Sequence, residues 1–174
     1  MPAKLICGII AGSERVFEIA REHLVDHFGP TDLESSLFPF DQTDYYEKQM
    51  GPGLRRKFLS FENLINPEAL SDIKLKTNAL EEDITREAGR SLRAVNLDPG
   101  YLTPSALIMA TAKDFAHRIP LRNGIYAHLE YLFSKKEVRM LDWTYPDYRS
   151  EGYRAFFLEV RRVYLSQLRE KKTD

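Results

Sequence analysis

The densest run of chemistry-bearing side chains is 96–118, NLDPGYLTPSALIMATAKDFAHR, which ends on Lys113, Asp114, His117 and Arg118. Histidine exchanges a proton near neutral pH, while lysine and arginine hold anions. His117 is therefore the candidate general acid or base, Asp98 its candidate partner, and Arg55, Lys113 and Arg118 the candidate anion holders. No serine or cysteine stands at a recognisable nucleophile spacing from His117, so no reaction is specified and the question of enzyme or binding protein stays open. A second run, Gly51-Pro52-Gly53 into Leu54-Arg55-Arg56-Lys57, offers backbone donors and three cations that suit a phosphate. Its plainer reading is a turn into a strand with an exposed basic face.

Aromatic and acidic side chains flank these runs. Asp41, Asp44, Tyr45 and Tyr46 suit a polar ring or a hard cation, or simply form a solvated loop. Trp143, Tyr145 and Tyr148 either stack on a base or sugar or complete the core. The residues themselves thus give the ligand-binding candidates Asp41, Asp44, Tyr45, Arg55, Arg56, Lys57, Lys113, Arg118 and Tyr145. His23 and His27 are four apart in HLVDH, near the H-x-x-E-H zinc pattern but with Asp in place of Glu and no evident third ligand, so no metal site is expected. Neither G-x-x-x-x-G-K-[ST] nor G-x-G-x-x-G occurs, and no motif names a cofactor.

The elements that must position these residues follow from periodicity and punctuation. Residues 4–10 are a continuous apolar run, a strand buried on both faces. Ser13 precedes a helix with Val16, Ala20, Leu24 and Phe28 on one face, stopped by Gly29-Pro30. Strands are expected at 32–40, limited to an edge by Pro39, and at 54–65, with a loop at 41–53 between them. Asn66-Pro67-Glu68 starts a helix whose stripe is Leu70, Ile73, Thr77, Leu80 and Ile84, stopped by Gly89, and 92–97 is the next strand. Strand, helix, strand, strand, helix, strand is the order of the ferredoxin-like split βαβ, giving an α+β class.

Beyond that core, Asp98-Pro99-Gly100 reads as a turn, and 105–111 is either a short helix or a buried strand. Asn123-Gly124 between two apolar runs predicts a hairpin. A two-residue loop would set Leu121 opposite Tyr126, Ile119 opposite His128 and His117 opposite Glu130, sharing one face; a three-residue loop would break it. Tyr153, Phe156, Phe157, Val160 and Tyr164 mark a final helix. The division is one domain over 1–174, with the core at 1–97, the turn, short helix and hairpin extension at 98–149, and the helix at 150–174.

Composition bounds the function. With 25 Lys plus Arg against 26 Asp plus Glu in 174 residues, the net charge of −1 gives no general pull toward nucleic acid or an acidic membrane. One cysteine, Cys7, excludes an internal disulfide and fits a reducing, cytoplasmic setting. No apolar run approaches the ~18 residues of a membrane span. The leading expectation is an anionic, phosphate-bearing small molecule or nucleotide bound between 41–57 and 96–118. The second is a noncatalytic RNA-binding or protein-interaction module; the oligomeric state is open.

The strings FPFDQTDYYEKQMGPGLRRKFLSFENLI, VNLDPGYLTPSALIMATAKDFAHRI, NGIYAHLEYLF and LDWTYPDYRS, in that order, resemble the bacterial family named domain of unknown function 4416 over nearly the whole chain. The resemblance marks Asp41, Asp44, Tyr45, Tyr46, Gly51, Gly53, Arg55, Asn96, Asp98, Gly100, Tyr101, Lys113, His117, Arg118, Tyr145, Pro146 and Asp147 as signature positions and assigns none a role; on its account Asn96, Tyr101 and Asp147 join the ligand-binding candidates. Some members are described as GTP-binding, although no P-loop or G-domain base-recognition motif stands here.

Overall fold

A computed structural model describes residues 1–43, 45–134 and 137–170. Among them the strands are β1 (Ala3–Ala11), β2 (Thr31–Glu34), β3 (Phe38–Pro39), β4 (Arg55–Ile65), β5 (Val95–Leu102), β6 (Ala106–Thr111), β7 (Ile119–Pro120), β8 (Tyr126–Phe133) and β9 (Val138–Met140). The helices are α1 (Glu14–Phe28), α2 (Glu47–Met50), α3 (Leu70–Glu87) and α4 (Glu151–Glu170). The strands form one nine-stranded sheet in the order β2-β4-β1-β5-β6-β8-β7, with β3 on β4 and β9 on β8. Every pairing is antiparallel. The fold is mixed α/β, built on this large antiparallel sheet.

Two faces of the sheet are buried by different helices. On one face Leu5, Cys7 and Ile9 of β1 pack with Val16, Ala20 and Leu24 of α1 and with Ile73, Leu80 and Ile84 of α3. On the other, Ile6, Phe58, Leu107 and Tyr131 meet Tyr153, Phe157, Val160 and Tyr164 of α4. The period-2 alternation of β1 thus feeds two cores, which is why 4–10 contains no polar residue except Lys4. Lys4 is itself buried and paired with Asp32, and it donates to Gln167 of α4 at 2.9 Å. The α3 start is as expected: Asn66 Oδ1 accepts from the Glu68 N–H at 3.2 Å ahead of the one-turn helix Pro67–Ala69.

One local expectation needs correction, and two that the residues leave open are decided by the fold. Asp98-Pro99-Gly100 is not a turn; it lies inside β5, with Gly8 opposite Asp98 and Ile6 opposite Gly100 on β1. The strand therefore runs Val95–Leu102 rather than 92–97, and the expected division at 97/98 falls in mid-strand. Residues 106–111 are a strand, not a helix, so the extension adds strands to the same sheet. The Asn123-Gly124 hairpin takes the longer loop: Leu121 N–H donates to the Ile125 carbonyl at 2.8 Å, and Ile119 pairs with Ala127. Asn123 at φ 56 and Gly124 at φ 72 both adopt the left-handed region that this loop requires.

Candidate functional site

The site begins where the sheet parts. β5 and β6 pair at Gly100 with Met109, Tyr101 with Ile108 and Leu102 with Leu107, and the ladder stops there. Pro99 lacks an N–H to continue it. Next to it Gly100 allows the two backbones to close: a Cβ there would lie 2.5 Å from the Ile108 carbonyl oxygen. Beyond this apex 95–98 and 110–113 separate, and a cavity of about 640 Å³ opens between them. The freed edge of β5 is satisfied by α3 instead. Glu81 accepts from the Leu97 N–H at 2.7 Å, and Lys74 Nζ donates to the Leu97 carbonyl at 2.7 Å. Two side chains seven residues apart, two turns along one helix face, thereby replace a missing strand.

Five segments complete the cavity wall. Phe40, Thr43, Tyr45 and Tyr46 come from the loop after β3, Arg56 from β4, and Arg93 and Asn96 from the entry to β5. His128 on β8 and Tyr145, Asp147 and Tyr148 of the loop after β9 form the last wall. That loop is pinned to β8: Thr144 Oγ1 donates to the Glu130 carbonyl at 2.6 Å and Trp143 Nε1 to the Leu129 carbonyl at 2.8 Å.

Charge in the lining is largely paired. Arg56, 5% exposed, donates to Asp98 at 2.9 Å and to Asp147, and its guanidinium lies 4.7 Å from the Phe40 ring centre. Arg93 donates to Glu81 at 2.5 Å, to Asn96 Oδ1 at 2.6 Å and to the Val95 carbonyl at 3.0 Å. The bond from Arg93 assigns the Asn96 amide orientation and leaves its buried Nδ2 without a partner among the described residues. Lys74 and Lys113 have no carboxylate within ion-pair distance among the described residues; Lys113 Nζ sits 3.7 Å from the Tyr45 ring centre across the mouth.

Behind the His128 wall lies a polar aromatic cluster. His128 stacks on Tyr145, with ring centres 4.7 Å apart, and Nδ1 accepts from Arg118 Nε at 3.2 Å. This assigns the ring proton to Nε2, which faces Glu130 Oε1 at 3.0 Å off hydrogen-bond alignment, so the contact is electrostatic. Glu130 is fully buried, which raises its carboxyl pKa above 4.5 despite His128 and the Tyr145 N–H. It is the extra residue of a β-bulge, since Tyr131 pairs with Leu107 and Leu129 with Ile108. His117 stacks on Trp143 at 5.1 Å and meets His128 edge-on at 4.9 Å. Burial, then His128 and Arg118, lowers its pKa below 6.5.

Residues 1–164 match the family model described as domain of unknown function (DUF4416). The chain belongs to that family. No curated protein and no solved structure matches it. Among the described residues of this DUF4416 chain no helix is long and apolar enough to cross a membrane.

Of the sequence-selected residues, the cavity brings together Tyr45, Arg56, Asn96, Asp98, Lys113, Tyr145 and Asp147. Arg118 stands one layer back, donating to Tyr145 Oη at 2.5 Å and to the Lys113 carbonyl at 2.7 Å. His117 does not line the cavity, and no hydrogen bond or ion pair joins it to Asp98. Arg55 lies toward Glu14, 3.9 Å away, and Lys57 donates to Glu34 at 2.7 Å, so the basic face of β4 is neutralised. Tyr101 packs with Leu70 beside α3, and Asp41 is exposed outside the lining. Asp44 lies outside the described residues. Gly51 and Gly53 face open space and line no part of the cavity. His23 is engaged with Glu87 at 2.7 Å, and His27 with the His23 carbonyl at 2.8 Å. Sequence reasoning missed Lys74, Glu81 and Arg93, although Lys74 falls four residues after Leu70 and Glu81 four after Thr77, at the border of the buried stripe.

Proposed function

We propose that this domain binds an anionic small molecule carrying a planar ring, a nucleotide or related phosphate ester, in the cavity at the β5–β6 fork. The supporting observation is the lining itself: Tyr45, Tyr46, Tyr145 and Phe40 offer ring faces, while Lys74 and Lys113 are its cations with no carboxylate within ion-pair distance among the described residues. Arg56 and Arg93, tied to Asp98, Asp147 and Glu81, hold the walls in place. The order β1, α1, β2, β4, α3, β5, with β2-β4-β1-β5 in the sheet, supports a ferredoxin-like core carrying this site. We assign binding and no reaction. His117, the candidate acid or base, lies behind the wall rather than in it.

A thermal-shift panel of nucleotides and sugar phosphates tests this. At ~100 times Kd a true ligand adds about 2.7 kcal/mol, which raises the melting temperature of a domain this size by about 5–11 °C. Lys113→Ala and Tyr145→Ala should each weaken the hit. No shift from any ligand at millimolar concentration, or a hit untouched by both substitutions, would end the proposal. The second reading, an RNA-binding surface, draws support from the exposed rings of Phe115 and Trp143, 63% and 38% exposed. Binding of single-stranded RNA with a steep salt dependence, and no small-molecule hit, would put it first.

A further inference from the structure

We propose that the ligand is longer than the cavity and carries more than one negative group, its anionic tail crossing Arg93 into a second groove along the C-terminal half of α3. This rests on the reading of the cavity given above. The groove is shallower and continuous with the cavity, sharing Asn78, Glu81 and Arg93, and it runs on past Thr85 to Arg86 and Arg90. Arg93 stands on the divide. Its Nε and one Nη are committed to Val95, Glu81 and Asn96, and the other Nη has no hydrogen bond among the described residues. Thr85 Oγ1 accepts from the Ala94 N–H at 3.1 Å, so its own O–H is left to donate into the groove.

Arg90 is exposed, and its guanidinium has no ion pair or hydrogen bond among the described residues; Arg86 is paired with Asp83 at 3.0 Å on the open side of the helix. Glu81 is already consumed by Arg93 and Leu97. Among the described residues the free donors along this line are the arginines, the Thr85 hydroxyl and the side-chain amides of Asn78 and Gln49, spaced from the cavity outward; the lining also includes the Glu82 carboxylate, which an anionic tail has to pass. The C-terminal end of α3 carries a partial negative charge that would by itself repel an anion, so any tail there must be held by these arginines. The competing role for Arg86 and Arg90 is to neutralise that helix end.

Calorimetric titration of the whole chain with one nucleoside and its mono-, di- and triphosphate, chosen from the panel hit, separates the two. Affinity should rise about two- to fivefold with each added phosphate, the range of exposed charge pairs, and the rise should shrink at high salt. In Arg90→Glu, and more weakly in Arg90→Ala, the ratio of triphosphate to monophosphate affinity should fall toward one. A triphosphate that gains nothing over the monophosphate in the wild type, or keeps its full gain in Arg90→Glu, overturns the proposal while leaving the cavity reading intact. Failure of every member of the series to bind overturns both.

Discussion

Replacing Gly100 by alanine tests whether the fork has a tight apex. A methyl there would stand 2.5 Å from the Ile108 carbonyl oxygen, 2.5 Å from Met109 Sδ and 3.1 Å from Met109 Cα. Two of those atoms are backbone, so a rotamer change cannot relieve the clash. β6 must retreat by about 0.9 Å, the difference between 2.5 Å and an ordinary 3.4 Å contact. Such a shift takes a hydrogen bond of ~2.9 Å beyond its working limit, and the Gly100–Met109 pairing is lost. Overpacking costs about 1–3 kcal/mol and each lost bond about 1 kcal/mol, while the stiffer unfolded chain returns roughly 0.4–1 kcal/mol. A net loss of about 3 kcal/mol lowers the melting temperature by roughly 6–12 °C. Gly12→Ala is the control, because its methyl would meet nothing closer than 3.7 Å; it should stay within about 0.5 kcal/mol of wild type. Urea unfolding and thermal melts of the three proteins decide the matter. If Gly100→Ala melts with the control, β5 and β6 are not held together at this point, and the account of the fork is wrong.

Three further outcomes follow from the same geometry. Arg56→Ala leaves Asp98 and Asp147 without their shared buried partner and should cost about 3–5 kcal/mol; Arg56→Lys should recover less than half, because an ammonium cannot fork to both carboxylates, and full recovery would refute the bridging role. Lys74→Met strands the Leu97 carbonyl and should cost about 1–3 kcal/mol while weakening any anion bound in the cavity; unchanged urea unfolding would show that the β5 edge is satisfied elsewhere. Burial raises the Glu130 pKa above 4.5, so the folded state holds that proton more tightly than the unfolded chain. Its contribution to stability is complete below about 4.5 and is lost as pH rises through the folded value. A carboxyl NMR titration of Glu130 with a midpoint at or below 4.5 contradicts this.

Much of the frame was legible from residues alone because its signals are short-range. Unbroken apolar runs, four-residue stripes, the Asn66-Pro67 cap and the Gly89 stop depend on neighbours within a turn or two, and β1, α1, α3 and α4 appear where those signals put them. The segments around the site were less legible for a definable reason. Asp98-Pro99-Gly100 has the composition of a turn, yet in β5 Pro99 and Gly100 serve a different purpose, ending one ladder and admitting a close backbone approach. Similarly, the Asn123-Gly124 hairpin was foreseen but its loop length was not. His117 and His128 still meet, and the Glu130 carboxylate faces His128, through the bulge at Glu130 and the packing of Trp143 rather than through the shorter register.

The cavity itself is a tertiary object. Composition and periodicity determined that the chain would form helices and strands with room for a core, and that its polar aromatic segments would fall near strand ends and loops. Together with the family resemblance they also pointed to seven of the residues that now face one another across the fork. Which cations are free was decided only by folding. Arg55, Arg56 and Lys57 are adjacent in sequence, but alternation along β4 sends Arg56 between two aspartates and its neighbours toward Glu14 and Glu34. Lys74, which looks like a solvated helix residue, is buried against Leu97 because β6 leaves that edge unpaired. A buried backbone group must find a partner wherever the register leaves it, and the register between distant strands is not written in any local stretch of the chain.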